Sequence, residues 1–144
     1  MRSLREAERD LLLQLTSIDG AEVGLFEVTA VQLEKSIIDA NFSIRTAFAA
    51  TGFHYYAQQP QGDKVLKKLL LLTSNGMVET DLSLYRPNTK AGDPRLWIYR
   101  LDSLCPEARP HDIVAIVQDG ETCAALNLSY LVRSGTGTDA VDPL

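Results

Sequence analysis

Apolar residues at Leu4, Ala7, Leu11, Leu12 and Leu15 recur every three or four positions, with Glu6, Glu8, Arg9 and Asp10 between them. That period predicts an amphipathic helix over residues 3–16, ended by the Asp19-Gly20 turn and packed on the domain that follows. Docking to a partner is the other use of such a face. Residues 23–29 read as a first strand, and Leu33, Glu34, Lys35, Ile37 and Ile38 fit a short helix ending near Asp39-Ala40-Asn41. From there to Gly62 the pattern weakens. Phe42, Ile44 and Phe48 allow a short helix over 43–50, but neither a strand nor a helix period survives beyond Thr51.

Ser74-Asn75-Gly76 stands between two apolar-rich runs, 65–73 and 77–86, and Asn-Gly in that setting specifies a β-hairpin. In the second run Val78, Thr80, Leu82 and Leu84 alternate with Glu79, Asp81, Ser83 and Tyr85, so one face is buried and one is wet. Pro87, Gly92 and Pro94 then interrupt any regular element until a strand resumes at Leu96, where Trp97, Ile98 and Tyr99 favour β structure. A short helix or turn fits 101–112, and a second hairpin joins 113–118 to 121–128 through Asp119-Gly120. Beyond Leu131 the composition is that of a linker. Six or seven short strands, two or three helices and hairpin connections point to an antiparallel, barrel-like β domain with helices plugging its ends. The expected organisation is a packing helix in 1–20, the β domain in 21–131, and a linker in 132–144 leading to a further domain.

A chain of 144 residues, 45% hydrophobic and 23% charged, fits one domain burying roughly two-thirds of its unfolded surface. The only long apolar run, 65–72, is broken by Lys67 and Lys68 and is too short to span a bilayer. The charged N-terminus does not read as a secretory signal, so a cytoplasmic protein without a membrane partner is expected. Cys105 and Cys123 lack Cys-x-x-Cys spacing and a histidine at ligand distance, which argues against zinc and for two buried thiols. No cofactor is expected. The net charge of −5 weighs against nucleic acid until it is divided along the chain. Residues 31–100 carry nine Lys and Arg against six Asp and Glu, a balance of +3, and the remainder a balance of −8. A local basic face is therefore compatible with an acidic whole, because screening confines each charge to about 8 Å.

Two stretches carry chemistry. The loop 86–95 holds Arg86, Asn88, Lys90, Asp93 and Arg95 between strands, and 41–64 holds Asn41, Ser43, Arg45, His54, Tyr55, Tyr56, Gln58, Gln59, Gln61 and Lys64. Arg and Lys meet phosphates and guanine edges, Asn and Gln pair with adenine, Asp accepts from cytosine, and His and Tyr contact phosphates or stack. Both stretches also read as ordinary polar loops with half-buried tyrosines, and residue types leave the two readings open. The acidic residue, spacer and lysine of a metal-dependent nuclease do not occur, Gly62-Asp63-Lys64 having the wrong spacing. Gly-x-Ser-x-Gly, His-Glu-x-x-His and a Walker loop are missing too. A stand-alone enzyme would have to use His54 with Tyr55 or Tyr56.

Asn41-Phe-Ser-Ile-Arg45, Gln58-Gln59-Pro-Gln61-Gly62 and above all Tyr85-Arg-Pro-Asn-Thr-Lys-Ala-Gly-Asp-Pro-Arg-Leu-Trp-Ile98 resemble a known family. It is the N-terminal DNA-binding domain that precedes an MvaI/BcnI-type catalytic domain in certain restriction endonucleases. The resemblance spans residues 22–131, and that domain is similar in turn to the EcoRII N-terminal effector domain and the plant B3 domain. It implies a mainly β (α+β) fold, a seven-stranded open antiparallel pseudobarrel with two capping helices, whose closing hairpin begins at Pro110-His-Asp-Ile-Val-Ala-Ile116. It also implies sequence-specific binding of double-stranded DNA at a short CCWGG-like site, gripped through the major groove by two arms, 41–64 and 86–95. The chain itself would be a monomer and no enzyme, with cleavage left to a C-terminal nuclease domain of the same parent chain. By that resemblance Arg45, Gln58, Gln59, Asn88, Asp93 and Arg95 read base edges, while Asn41, Ser43, His54, Tyr56, Lys64, Arg86 and Lys90 position the DNA backbone. A small-molecule or protein-binding β-barrel module is the alternative, told apart by salt dependence.

Overall fold

The first helical period forms a helix a little shorter than its apolar stripe. In the computed structural model, which describes residues 1–135 and, of Lys90, the backbone alone, helix α1 spans Glu6–Thr16. The Glu8 carboxylate accepts from the Arg5 amide at 2.8 Å and closes the first turn. Strand β1 follows as Glu22–Glu27. Helix α2, Ala30–Lys35, starts on a reciprocal cap in which Thr29 Oγ accepts from the Gln32 amide and Gln32 Oε1 accepts from the Thr29 amide. The helix expected to reach Ile38 stops at Lys35 instead. Ser36 turns into the left-handed region at φ 59°, and Ile37–Asp39 forms strand β2 with Ile38 fully buried between two more exposed neighbours. Alternating burial over three residues is too short a signal to outweigh a helical reading of the same apolar pair.

Helix α3 spans Phe42–Thr51, one residue beyond the expected 43–50 at each end. Asn41 Oδ1 caps it by accepting from the Ile44 amide at 2.9 Å, and Gly52 ends it at φ 78°. Its inner side buries Ile44, Ala47 and Phe48. The helix lies so close to β1 that a Cβ on Gly24 would stand 2.7 Å from the Ile44 Cα, a contact only glycine permits. Strands β3, Lys64–Thr73, and β4, Gly76–Tyr85, form the hairpin that Asn75-Gly76 predicts. Then come β5, Arg95–Ile98, the single-turn helix α4, Leu101–Leu104, and the strands β6, Ile113–Gln118, and β7, Cys123–Asn127. Helix α5, Leu128–Ser134, runs into the stretch expected to be a linker. Residues 136–144 of that expected linker lie outside the described residues.

The strands make one seven-stranded sheet in the order β1-β6-β7-β3-β4-β5-β2. Its edges β1 and β2 do not pair with each other, so the sheet curls into an open half-barrel in a mixed α/β fold. The expectation of a wholly antiparallel sheet needs one correction, since β3 and β7 run parallel, Leu70 opposite Ala124 through Leu72 opposite Leu126. Two antiparallel sets, β1-β6-β7 and β3-β4-β5-β2, meet at that seam, and each strand's direction there is already fixed by its own hairpin.

The inside of the curl holds the main core, with Phe26, Ile38, Phe48, Leu69, Leu84 and Leu96 among its buried side chains. On the outside of β1 and β6, helices α1 and α5 cover a smaller cluster around Ile113, Ala115 and Leu128. Strand β6 is therefore covered on both sides, which explains its unbroken apolar run. Among the described residues no helix is long and apolar enough to cross a membrane.

Candidate functional site

The two chemistry-bearing stretches meet at one end of the half-barrel. After α3 the chain makes a 3₁₀ turn, Tyr56–Gln58, before entering β3, and the β4–β5 connection holds another, Lys90–Gly92. The bases of the two loops are tied together. The Gly62 amide donates to Arg86 O at 2.6 Å and the Arg86 amide to Asp63 O at 3.2 Å. The Arg86 side chain adds two bonds of 2.8 Å, from Nε to Gly92 O and from Nη1 to Gln59 O. One guanidinium thus braces both loops.

Between α3, the Tyr56–Gln58 turn and the base of the 86–94 loop lies a groove of about 760 Å³, lined by Phe42, Arg45, Tyr55, Gln58, Arg86 and Pro94 among others. Phe42 is 75% exposed and Tyr55 47%. Arg45 is held by Nη1 donating to Ala40 O at 2.8 Å. No carboxylate lines the groove, and neither arginine has an ion-pair partner among the described residues. Carbonyl oxygens fix the position of both guanidinium groups without neutralising them. An anion entering the groove would meet two placed donors with their full charge.

Arg95 is not brought into that groove. It lies on the outer face of β5 with Tyr85 and Lys64 on the adjoining strands, and it lines a separate recess of about 380 Å³ with Lys35 and Asp39. Its Nε is buried without a hydrogen-bond partner, because the nearest carboxylate oxygen, on Asp39, stands 3.9 Å away. Lys64 is exposed, its ammonium 5.7 Å from the centre of the Tyr85 ring. Asn88 and Asp93 are exposed on the 86–94 loop, and Gln58 is exposed at the groove. The Lys90 side chain lies outside the described residues.

Five residues expected to touch DNA have internal roles instead. Gln59 is buried, its Nε2 donating to Leu84 O at 2.9 Å and Asp63 O at 3.1 Å, so its amide edge is already used. His54 Nε2 lies 2.9 Å from Gln59 Oε1, and burial lowers the histidine's pKa below its ordinary value, so at neutral pH it brings no charge to a phosphate. Tyr56 is buried and donates its hydroxyl to Arg95 O at 3.0 Å. Asn41 caps α3 and donates Nδ2 to Leu25 O at 2.8 Å, and Ser43 Oγ accepts from the Leu25 amide at 2.9 Å. In each case a polar atom of the side chain is engaged within the fold rather than left for a partner, by backbone groups, Leu25 on the edge strand β1 among them, or for His54 by Gln59. His54 and Tyr56 do not hydrogen-bond each other.

Among the described residues no group of three or more His, Cys, Asp and Glu could hold a metal ion. Cys105 and Cys123 are free thiols whose pKa burial pushes up to about 12. Sequence reasoning missed the exposed rings. Phe42 stands at the first position of α3 with its ring in solvent, where no period marks it. Trp97 and Tyr99 meet edge to face at 6.0 Å on the outer sheet surface, a placement that the buried Leu96 and Ile98 on either side of Trp97 could have revealed. The chain matches no protein-family model, no curated protein and no solved structure.

Proposed function

We propose that this chain is a sequence-specific, double-stranded DNA-binding domain with a B3-like pseudobarrel fold. In this reading it serves a cytoplasmic restriction endonuclease as an effector or targeting domain, and a nuclease domain of the same parent chain cuts. The observation that carries the reading is the acid-free groove with two un-neutralised arginines, bordered by both predicted arms, in a chain of net charge −5. Phosphates need cations that are placed and unpaired, and base edges need exposed amide and carboxylate groups beside them. Arg45 and Arg86 supply the first, and Gln58, Asn88 and Asp93 the second. Lys64, exposed at the start of β3, adds a further cation to the surface beside the loops.

A second reading is favoured by one observation, the 75% exposure of Phe42 beside a groove of mostly apolar lining, which suits a protein or small-molecule ligand. Salt separates the two. Fluorescence-anisotropy titrations with a duplex carrying CCWGG and with a scrambled duplex, at two salt concentrations, are expected to give tighter binding to the site. Affinity should fall on a log–log plot against salt with a slope of about −0.9 per phosphate neutralised. Absence of binding to either duplex at both salts would overturn the DNA reading in favour of the ligand module.

A further inference from the structure

Of the half-buried arginines, Arg2, Arg45, Arg86 and Arg133 each donate side-chain hydrogen bonds inside the fold. Arg95 donates none among the described residues. Its side chain is 22% exposed and its Nε is closed off, yet the nearest acid, Asp39, with its own side chain 82% exposed, stands at 3.9 Å, beyond hydrogen-bond reach. A confined cation without an acceptor destabilises the fold, and a ligand that brings the acceptor relieves it.

The chain assembles further donors around Arg95. Helix α2 ends at Lys35, Ser36 turns the backbone through the left-handed region, and the β2–β5 register sets Asp39 opposite Arg95. Gln32, Lys35, Ile37, Asp39 and Arg95 consequently border one recess of about 380 Å³. Lys35 has no ion-pair partner among the described residues, and Gln32 uses Oε1 on the Thr29 amide and keeps Nε2 to donate. Strand β2 is an edge of the sheet. Its bonds to β5 run from the Ile98 amide to Ser36 O and from the Ala40 amide to Pro94 O, so the alternate residues Ile37 and Asp39 turn their amides to the free edge. Sheet edges that present amides in this way form anion-binding concavities. Two cations against one carboxylate leave the recess positive.

We propose that this recess binds a phosphate group through Arg95 and Lys35, with Gln32 and the β2 edge amides taking its remaining oxygens. Donors arriving from a helix end, a strand edge and the neighbouring strand suit a tetrahedral oxyanion, whereas a planar carboxylate offers them two oxygens. The inference does not rest on the DNA-binding reading, because the recess and the groove share no lining residue: Pro94 borders the groove and Arg95 the recess. The phosphate has two sources, the backbone of a duplex that reaches past Pro94 or a free phosphorylated small molecule.

The test uses the whole chain, isotope-labelled. Inorganic phosphate is titrated at constant ionic strength, with sodium chloride as the control, while the amide resonances of Ile37 and Asp39 and the Arg95 Nε–H are followed. Saturable shifts with phosphate and none with chloride are expected. Arg95→Gln should weaken phosphate about tenfold, and Lys35→Gln, at an exposed position, should do the same whether or not the first variant folds. Asp39→Asn should tighten it several-fold by removing the opposing charge. Shifts that do not saturate would overturn the proposal. So would an Asp39→Asn variant that loses stability with phosphate affinity unchanged, because Arg95 would then belong to Asp39. The titration is repeated on protein saturated with the CCWGG duplex. Exclusion of phosphate assigns the site to the DNA backbone, and Lys35→Gln should then reduce the duplex salt slope by about one. Undisturbed phosphate binding, or a duplex that does not bind, assigns it to a free phosphorylated molecule. Anisotropy of the duplex reports DNA binding separately, so either idea can fail while the other stands.

Discussion

The two ends of the molecule treat charge in opposite ways. At the end where α1 meets α5 and the start of β6, Arg2 and Arg133 each meet a carboxylate. Arg2 holds Glu8 with two bonds of 2.8 and 2.6 Å, Ser129 donates to the same carboxylate at 2.5 Å, and Arg133 holds Asp112 at 2.6 and 2.9 Å. At the groove end Arg45 and Arg86 meet only carbonyl oxygens. An arginine paired with a buried carboxylate has spent its charge inside the fold, and its removal should register as instability. An arginine fixed by carbonyls keeps its charge for something outside, and its removal should register as lost binding. On the DNA-binding proposal, the contrast would tell arginines that hold the fold from arginines that bind, by their partners rather than by their exposure.

The largest effect that could break this contrast is at Glu8. Its side chain is fully buried while that of Arg2 is 23% exposed, so Glu8→Ala should cost about 3 kcal/mol in denaturant unfolding, the lower part of the range for a broken buried pair. Where the variant is folded, duplex affinity should not change. The Arg2 guanidinium holds the Glu8 carboxyl at about 2 against an ordinary 4.5. A depressed carboxylate stabilises the fold fully above its ordinary value and loses that contribution as the pH falls toward about 2. The penalty of Glu8→Ala should therefore shrink over that acid window, and an undiminished penalty at its bottom would contradict the pairing account.

Next in size is Gln59. Alanine there leaves the carbonyls of Leu84 and Asp63 without this donor, at a cost of about 2 kcal/mol, with base preference unaltered. Unchanged stability with altered preference would return Gln59 to the readers. Arg45→Gln sharpens the other side of the contrast. It should lower duplex affinity about tenfold and reduce the salt slope by about one while shifting stability by less than about 0.5 kcal/mol. Smallest is Lys68→Ala, which removes an exposed pair with Asp81 and should move stability by less than about 0.5 kcal/mol despite the 2.6 Å contact.

How much of this was legible in the sequence follows from how local each signal is. Asn75-Gly76 fixed the β3–β4 hairpin because a tight turn is decided by adjacent residues. The α3 helix is legible from Ile44 and Phe48, whereas residue type alone points Asn41, its cap, toward DNA. The parallel β3–β7 seam was not legible, since it joins residues far apart whose strands show no mark of their neighbour. Glu8 was placed with the polar positions of α1, and only the arrival of Arg2 and Ser129 explains its burial. At the candidate site, residue type puts Arg45, Arg86, Gln58, Gln59 and Tyr56 in one class, and it does not tell the exposed Gln58 from the buried Gln59 and Tyr56. That separation depends on which backbone carbonyls the side chains reach, a property of the assembled fold.

The most direct test compares amide hydrogen exchange in the free protein and in the protein saturated with a CCWGG duplex. Slowed exchange in residues 42–63 and 86–95, with α1 and α5 unchanged, is the predicted result. Protection confined to α1 and α5, or a profile that the duplex leaves unaltered, would contradict the assignment of the un-neutralised end to DNA.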